Sequence, residues 1–427
     1  MRSVTSLAAC AALLAAGAAM GQTISPQAVL ETDAAPAMWS GRARVAAQSR
    51  LGDLAWSAEA ANRLLAAIPA LRAEGLEPDD YRADLLYAAI QSGAGAELDA
   101  VAASTFTWIA EDLRDGRTPE SERRGWMMRD PDEDTISTGA LMERALAGED
   151  PAAIFAELAP THPHYAALRS ALAKESSAAR RAAIRANMDR WRWLPRDLGG
   201  QYLLVNVPEY RLDLMVNGQS VRQYRTIVGK PGSTATPQMA ESVEGVVFNP
   251  TWTVPQSIVK GEGLGRRVLG NPRWARANGY SATRGANGYV SVVQAPGPGN
   301  SLGAMKLDMP NAEAIFLHDT PAKALFDRKA RALSHGCIRT EDALELALTV
   351  NLLGQGASVT EALRIAESGD YTQVPVARPI PVYIAYFTVV PDGAGGIAKL
   401  GDIYRRDAPV LAALDNPRQR VVQTAGL

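Results

Sequence analysis

The chain of 427 residues carries 44 Lys and Arg against 46 Asp and Glu, with 47% hydrophobic and 21% charged residues. That length exceeds one ordinary core and predicts two or three domains. The charge balance excludes the strongly basic face that nucleic-acid binding requires.

Arg2 precedes an apolar, Ala-rich run from Val4 to Met20 that ends in Ala19-Met20-Gly21. This pattern predicts a signal peptide over 1–21 that is cleaved on export to the periplasm. A lipoprotein site at Leu7-Ala8-Ala9-Cys10 would cut the apolar run in half. No other stretch approaches the length needed to span a bilayer. The chain holds two cysteines, and Cys10 leaves with the signal. Cys337 then stands as a lone thiol in an oxidising compartment, where an unpaired cysteine calls for a role.

Residues 22–186 are rich in Ala, Leu, Arg and Glu. Leu64, Leu65, Ile68 and Leu71, then Leu141, Leu146, Ile154 and Leu158, recur near helical spacing, and prolines punctuate the run into short helices. The region is expected to be a helical scaffold domain. His162 and His164 sit in a Pro-containing loop without Cys or an acidic pair, which suits surface or capping histidines better than ligands.

From 187 the pattern turns to strands. Residues 202–208, 211–216 and 221–228 alternate or run apolar, and Asn217-Gly218 between two of them is a hairpin signal. Further extended segments are expected at 242–248, 289–293, 314–317 and 381–390. A β-rich catalytic domain over 187–395 follows, with a lid insertion at about 256–295 and a peripheral tail over 396–427. The fold class is α+β.

The chemistry gathers around Cys337. The sequence reads Leu317-His318-Asp319-Thr320-Pro321, then Leu333-Ser334-His335-Gly336-Cys337-Ile338-Arg339. Thr340-Glu341-Asp342 reads as a helix start with Thr340 as cap. Cys337 would then lie just before a helix N-terminus, where the dipole and Arg339 lower the thiol pKa. His318, from the preceding strand, is the expected base. Gly336 permits a tight turn that leaves the N–H groups of Gly336 and Cys337 free for an oxyanion. These features point to thiol acyl transfer. Three rival readings remain: an inert core cysteine, a zinc site built from His318, His335 and Cys337, and a glycan-binding module.

The segment from His318 through a fifteen-residue gap to Ser334-His335-Gly336-Cys337 and Arg339 resembles the L,D-transpeptidases of the YkuD catalytic fold. Asn187-Met188-Asp189-Arg190-Trp191, Phe248-Asn249-Pro250-Thr251-Trp252 and Pro296-Gly297-Pro298-Gly299-Asn300 extend the likeness to the large YcbB-like subgroup. The resemblance implies a peptidoglycan L,D-transpeptidase without cofactor or metal. Cys337 would take an acyl group from a donor stem peptide and pass it to the side-chain amine of meso-diaminopimelate, giving 3-3 cross-links. The alternatives are 1-3 links from an L-Ala donor, or a zinc-dependent peptidoglycan hydrolase. His318 carries over as base, and His335 and Arg339 as orienting residues. Ser334, Arg339 and Trp252 are the expected substrate contacts. Two departures stand out: Phe316 replaces a frequent Tyr two residues before the base, and the subgroup's separate peptidoglycan-binding domain has no room between Ala171 and Arg190. Glycan anchoring then falls to other surfaces or to cell-wall synthesis partners.

Overall fold

The computed structural model describes residues 55–128 and 136–418, so the expected signal peptide and Cys10 lie outside the described residues. It forms two compact units: residues 199–385 make one, and the described residues before 199 and after 385 make the other. Among the described residues no helix is long and apolar enough to cross a membrane.

The helical unit contains α1 (Ala58–Ala67), α2 (Ala83–Ser92), α3 (Ala96–Arg114), α4 (Thr138–Leu146), α5 (Pro151–Glu157), α6 (Pro163–Lys174) and α7 (Ala178–Arg192). Ser57, Ser137 and Asp150 cap their helices through side-chain oxygens, satisfying amides that have no partner within the helix. Leu98, Ala102, Phe106, Ile109 and Leu113 line one face of α3 and pack against Leu64, Ile68 and Leu86 in a common core. His162 does cap α6, accepting from the His164 amide at 3.1 Å. It is a buried residue, however, stacked on Trp191 at 4.2 Å.

The β-rich unit contains β1 (Gln201–Asn206), β2 (Arg211–Val216), β3 (Gln219–Gly229), β4 (Met239–Phe248) and β5 (Trp252–Thr253). The lid helices α8 (Gln256–Gly261), α9 (Leu264–Gly270) and α10 (Pro272–Ala277) follow, then β6 (Tyr280–Arg284), β7 (Val290–Gln294), β8 (Met305–Asp308) and β9 (Leu317–His318). The unit ends with β10 (Ala332–Ser334), β11 (Ile338–Thr340), α11 (Ala343–Leu353), α12 (Val359–Ser368) and β12 (Thr372–Ala385). The nine-stranded sheet runs β10-β3-β11-β9-β8-β4-β12-β1-β2, and pairing of β2 with β3 closes the order on itself. Asn217 and Gly218 both take left-handed backbone angles and join Val216 to Gln219 as the two-residue hairpin expected from the sequence. The lid has a small sheet, β5-β7-β6, and its own apolar core of Val254, Ile258, Val259, Val268 and Val292.

After β12 the chain enters the helical unit, where it forms β13 (Val389–Pro391), β14 (Ile397–Lys399) and α13 (Asp407–Asp415). The segment after 395, expected as a peripheral tail, and α7 through Arg192, expected within the catalytic domain from 187, both belong there. The reason is a buried polar network that periodicity does not report. The Asn187 amide oxygen accepts the Thr388 N–H at 2.8 Å, and Arg190 pairs with Asp407 at 2.7 Å. Asp189, fully buried, accepts the amides of Arg117 and Thr118, the Thr118 hydroxyl and the Trp193 indole N–H.

Asp189→Ala would strand four buried donors at once. Each buried donor left without a partner costs about 1–3 kcal/mol, so the helical unit is expected to lose at least about 4 kcal/mol of stability. Urea unfolding followed at the tryptophans measures this, and a midpoint equal to wild type would refute the assignment.

Candidate active site

Cys337 lies between β10 and β11, half-buried, on a loop that only glycine can turn. Gly336 has φ +122°, and a Cβ there would stand 3.0 Å from Ile315 Cδ1. The loop is braced from below. Ser334 Oγ donates to the Cys337 carbonyl at 2.6 Å and accepts the Gly336 N–H at 3.2 Å, while Thr236 Oγ1 donates to the Gly336 carbonyl at 2.7 Å. Ser334 is thus buried in the loop's own support, which corrects its expected role in binding substrate. The Gly336 amide, expected to be free for an oxyanion, is engaged by Ser334.

The helix-dipole expectation is also corrected. Residues 338–340 form β11, paired with β9 and β3, and α11 begins only at Ala343 with Asp342 as its N-cap. Thr340 is a fully buried strand residue, not a cap. A whole strand therefore separates the thiol from the N-terminus of α11, whose dipole acts only within its first turn. Burial instead raises the Cys337 thiol above its ordinary value. The Phe316 amide, Arg339, Lys306 and the residue's own N–H oppose that rise only in part. The resting thiol donates to the Ala314 carbonyl at 3.5 Å. Ala314 holds left-handed φ of +52°, and Asn311 clamps its loop through the Ile315 amide and carbonyl at 2.9 and 2.8 Å.

His318 ends β9, in register with Arg339 on β11 and Lys306 on β8. Its Nδ1 bonds to the Asp319 carbonyl at 2.5 Å, which requires the proton on Nδ1 and leaves Nε2 as the basic nitrogen. Burial, with Arg339 as the next cause, lowers its pKa to about 4. The Asp319 carboxylate accepts the Ala304 N–H at 2.9 Å and pairs with Lys323. Asp319 therefore sets the tautomer of His318, a role its side-chain chemistry gives no hint of. Immediate succession to the histidine was the available signal.

His335, two residues before the thiol, points the other way. Its Nε2 meets Glu262 Oε1 at 2.8 Å, just beyond lid helix α8. Arg339 is half-buried beside Cys337 and His318, and burial lowers its pKa. Trp252 sits on β5, where it packs against the lid's apolar core. The structure thus places Arg339 within electrostatic reach of both Cys337 and His318, sets His335 against the lid, and gives Trp252 to the lid.

Residues 200–382 match the L,D-transpeptidase catalytic domain (YkuD), and residues 48–172 match a scaffold domain. A Haemophilus influenzae protein whose name places it with the L,D-transpeptidases is 32% identical over 253 residues, covering 56% of this chain and 50% of its own length. This chain spans about half the length of that curated relative. Two solved structures are also similar: an Enterococcus faecium L,D-transpeptidase (14% identity, TM-score 0.23, covering 45% of this chain and 52% of that one) and a Mycobacterium smegmatis L,D-transpeptidase (15%, 0.21, 43% and 58%).

A thiol held protonated and an imidazole held neutral predict a simple titration. Alkylation of Cys337 by iodoacetamide should rise about tenfold per pH unit through neutrality, with a midpoint above that of free cysteine at about 8.5. A rate already flat at about pH 6 would mean a resting thiolate–imidazolium pair and would overturn this account. Arg339→Ala should move the midpoint higher, because a neighbouring cation that favours the thiolate is lost.

Proposed function

Because the chain carries an L,D-transpeptidase catalytic domain joined to a scaffold domain, we propose that it is a cysteine-dependent peptidoglycan L,D-transpeptidase. The observation that carries this reading is the Cys337–His318–Asp319 arrangement: a lone thiol, a neutral histidine on the strand beside its loop, and a carbonyl that fixes the histidine's tautomer.

The proposed reaction has two halves. Cys337 Sγ attacks a meso-diaminopimelate carbonyl of the donor stem, and Nε2 of His318 takes the thiol proton. The proton then passes to the departing D-Ala amine, leaving a thioester. The side-chain amine of an acceptor diaminopimelate attacks the thioester, loses a proton to His318, and expels the thiol, forming a 3-3 cross-link without ATP. A raised thiol pKa beside a lowered histidine pKa makes proton transfer in the resting site uphill. Transfer is therefore coupled to attack. Arg339 contributes to depressing His318. A stem carboxylate paired with Arg339 would offset that field and raise the basicity of the imidazole as substrate arrives. The Cys337 and Phe316 amides, both directed at the sulfur, favour its thiolate form as the proton leaves. The substrate places the enzyme in the periplasm, which accords with the apolar N-terminal run.

Muropeptide analysis by mass spectrometry tests the reading. Sacculi incubated with the wild-type protein should gain 3-3 dimers, whereas Cys337→Ala and His318→Ala should add none. Trimmed monomers that disappear with a chelator would instead mean a metal-dependent hydrolase, and dimers linked through L-Ala would mean 1-3 chemistry. A carbapenem should leave a single covalent adduct on the wild-type protein and none on Cys337→Ala.

Glu262 acts through His335 in this scheme, as a positioning residue. Glu262→Ala should lower kcat/KM about three- to tenfold, the size expected for one partly exposed charge-assisted hydrogen bond. Glu262→Gln should restore most of it, and neither change should move the alkylation–pH curve of Cys337. A shifted curve would show that the contact acts on the thiol itself.

A further inference from the structure

The lid carries a charge excess that its own fold does not use. Between 256 and 295 the sequence holds six cations, Lys260, Arg266, Arg267, Arg273, Arg276 and Arg284, against one carboxylate, Glu262. This excess of five positive charges stands out in a chain whose other residues carry 38 cations against 45 acids, a net −7. All six side chains are exposed, and none is paired with a carboxylate among the described residues. Arg267 alone has a packing role, lying over the Trp274 ring at 3.8 Å. The lid's stability comes instead from its apolar core and the β5-β7-β6 sheet.

We propose that the exposed basic surface of the lid docks polymeric peptidoglycan through the free carboxylates of its stem peptides. Two arguments select that partner. Five of the six cations are arginines, whose planar, weakly hydrated guanidinium binds carboxylate in a bidentate fork. The lid also flanks the nucleophile loop, since Glu262 at the end of α8 bonds His335 two residues before Cys337. A polymer held on this surface therefore presents its stems beside the thiol. An anionic membrane would be gripped more firmly through inserted apolar side chains, and the lid exposes one large hydrophobic residue, Tyr289. The choice of peptidoglycan rests on the transpeptidase reading above, whereas the anion-binding surface does not.

Co-sedimentation of the full-length protein with purified sacculi tests the surface directly. The triple variant R266E/R273E/R276E changes only exposed side chains and spares Arg267. Its bound fraction should fall at least about fivefold, and wild-type binding should weaken similarly as salt rises from about 0.05 to 0.5 M. Sacculi whose carboxylates have been converted to amides should bind the wild-type protein as weakly as untreated sacculi bind the variant. This arm decides the matter even if the variant folds poorly. The variant should be alkylated by neutral iodoacetamide at the wild-type rate, because the thiol site is intact. Equal binding to amidated sacculi, unchanged binding by the variant, or preference for phosphatidylglycerol vesicles over sacculi would overturn the proposal. Carboxylate-dependent binding by a protein that forms no cross-links would uphold the surface and reject the enzyme reading.

Discussion

The hydrogen bond between His318 Nδ1 and the Asp319 carbonyl organises the site. A histidine buried at a strand end could adopt either tautomer, and could act as donor or acceptor toward its surroundings. The neighbouring carbonyl restricts that freedom by accepting the Nδ1 proton, which leaves Nε2 as the unprotonated nitrogen of the neutral ring. Around this bond, Lys323 and the Ala304 amide hold the Asp319 carboxylate, while β8 and β11 flank the ring with Lys306 and Arg339. His318, the proposed base, is thus oriented by main chain rather than by a third side chain.

The thiol is handled differently. Its loop is fixed by Ser334 and Thr236 beneath it, and its hydrogen is held by the Ala314 carbonyl, itself placed by Asn311. Burial dominates the electrostatics: it raises the thiol and lowers the imidazole, so both resting groups are neutral. A neutral thiol resists oxidation better than a thiolate does. Under the proposed mechanism activation accompanies substrate, and Arg339, close to both groups, is the residue through which an anionic substrate would change the balance.

Polar networks play a comparable organising part in the helical unit. Asn187, Asp189 and Arg190 lie within one turn of α7 and are all buried, binding the 117–118 turn, Thr388 and Asp407. Each partner is more than sixty residues away in sequence, so the C-terminal segment is drawn into the helical unit by specific hydrogen bonds. An exclusively apolar core would not define that placement as narrowly.

Read alone, the sequence determined the class of the protein, because its strongest signals are local. The helical-then-strand order follows from periodicity, the Asn217-Gly218 hairpin from the two left-handed positions it needs, and the choice of Cys337 and His318 as candidate nucleophile and base from their spacing. Tertiary structure alone decided everything that depends on what faces what. Thr340 closes strand β11 because β3 pairs with it, even though Thr340-Glu341-Asp342 has the composition of a helix start. Ser334 turns inward and His335 outward toward Glu262, although they are adjacent, because Ser334 ends β10 and His335 opens the bend that follows it. The pKa of a thiol is set by surrounding solvent and charge, which a linear sequence does not specify, and here burial outweighs the nearby cations.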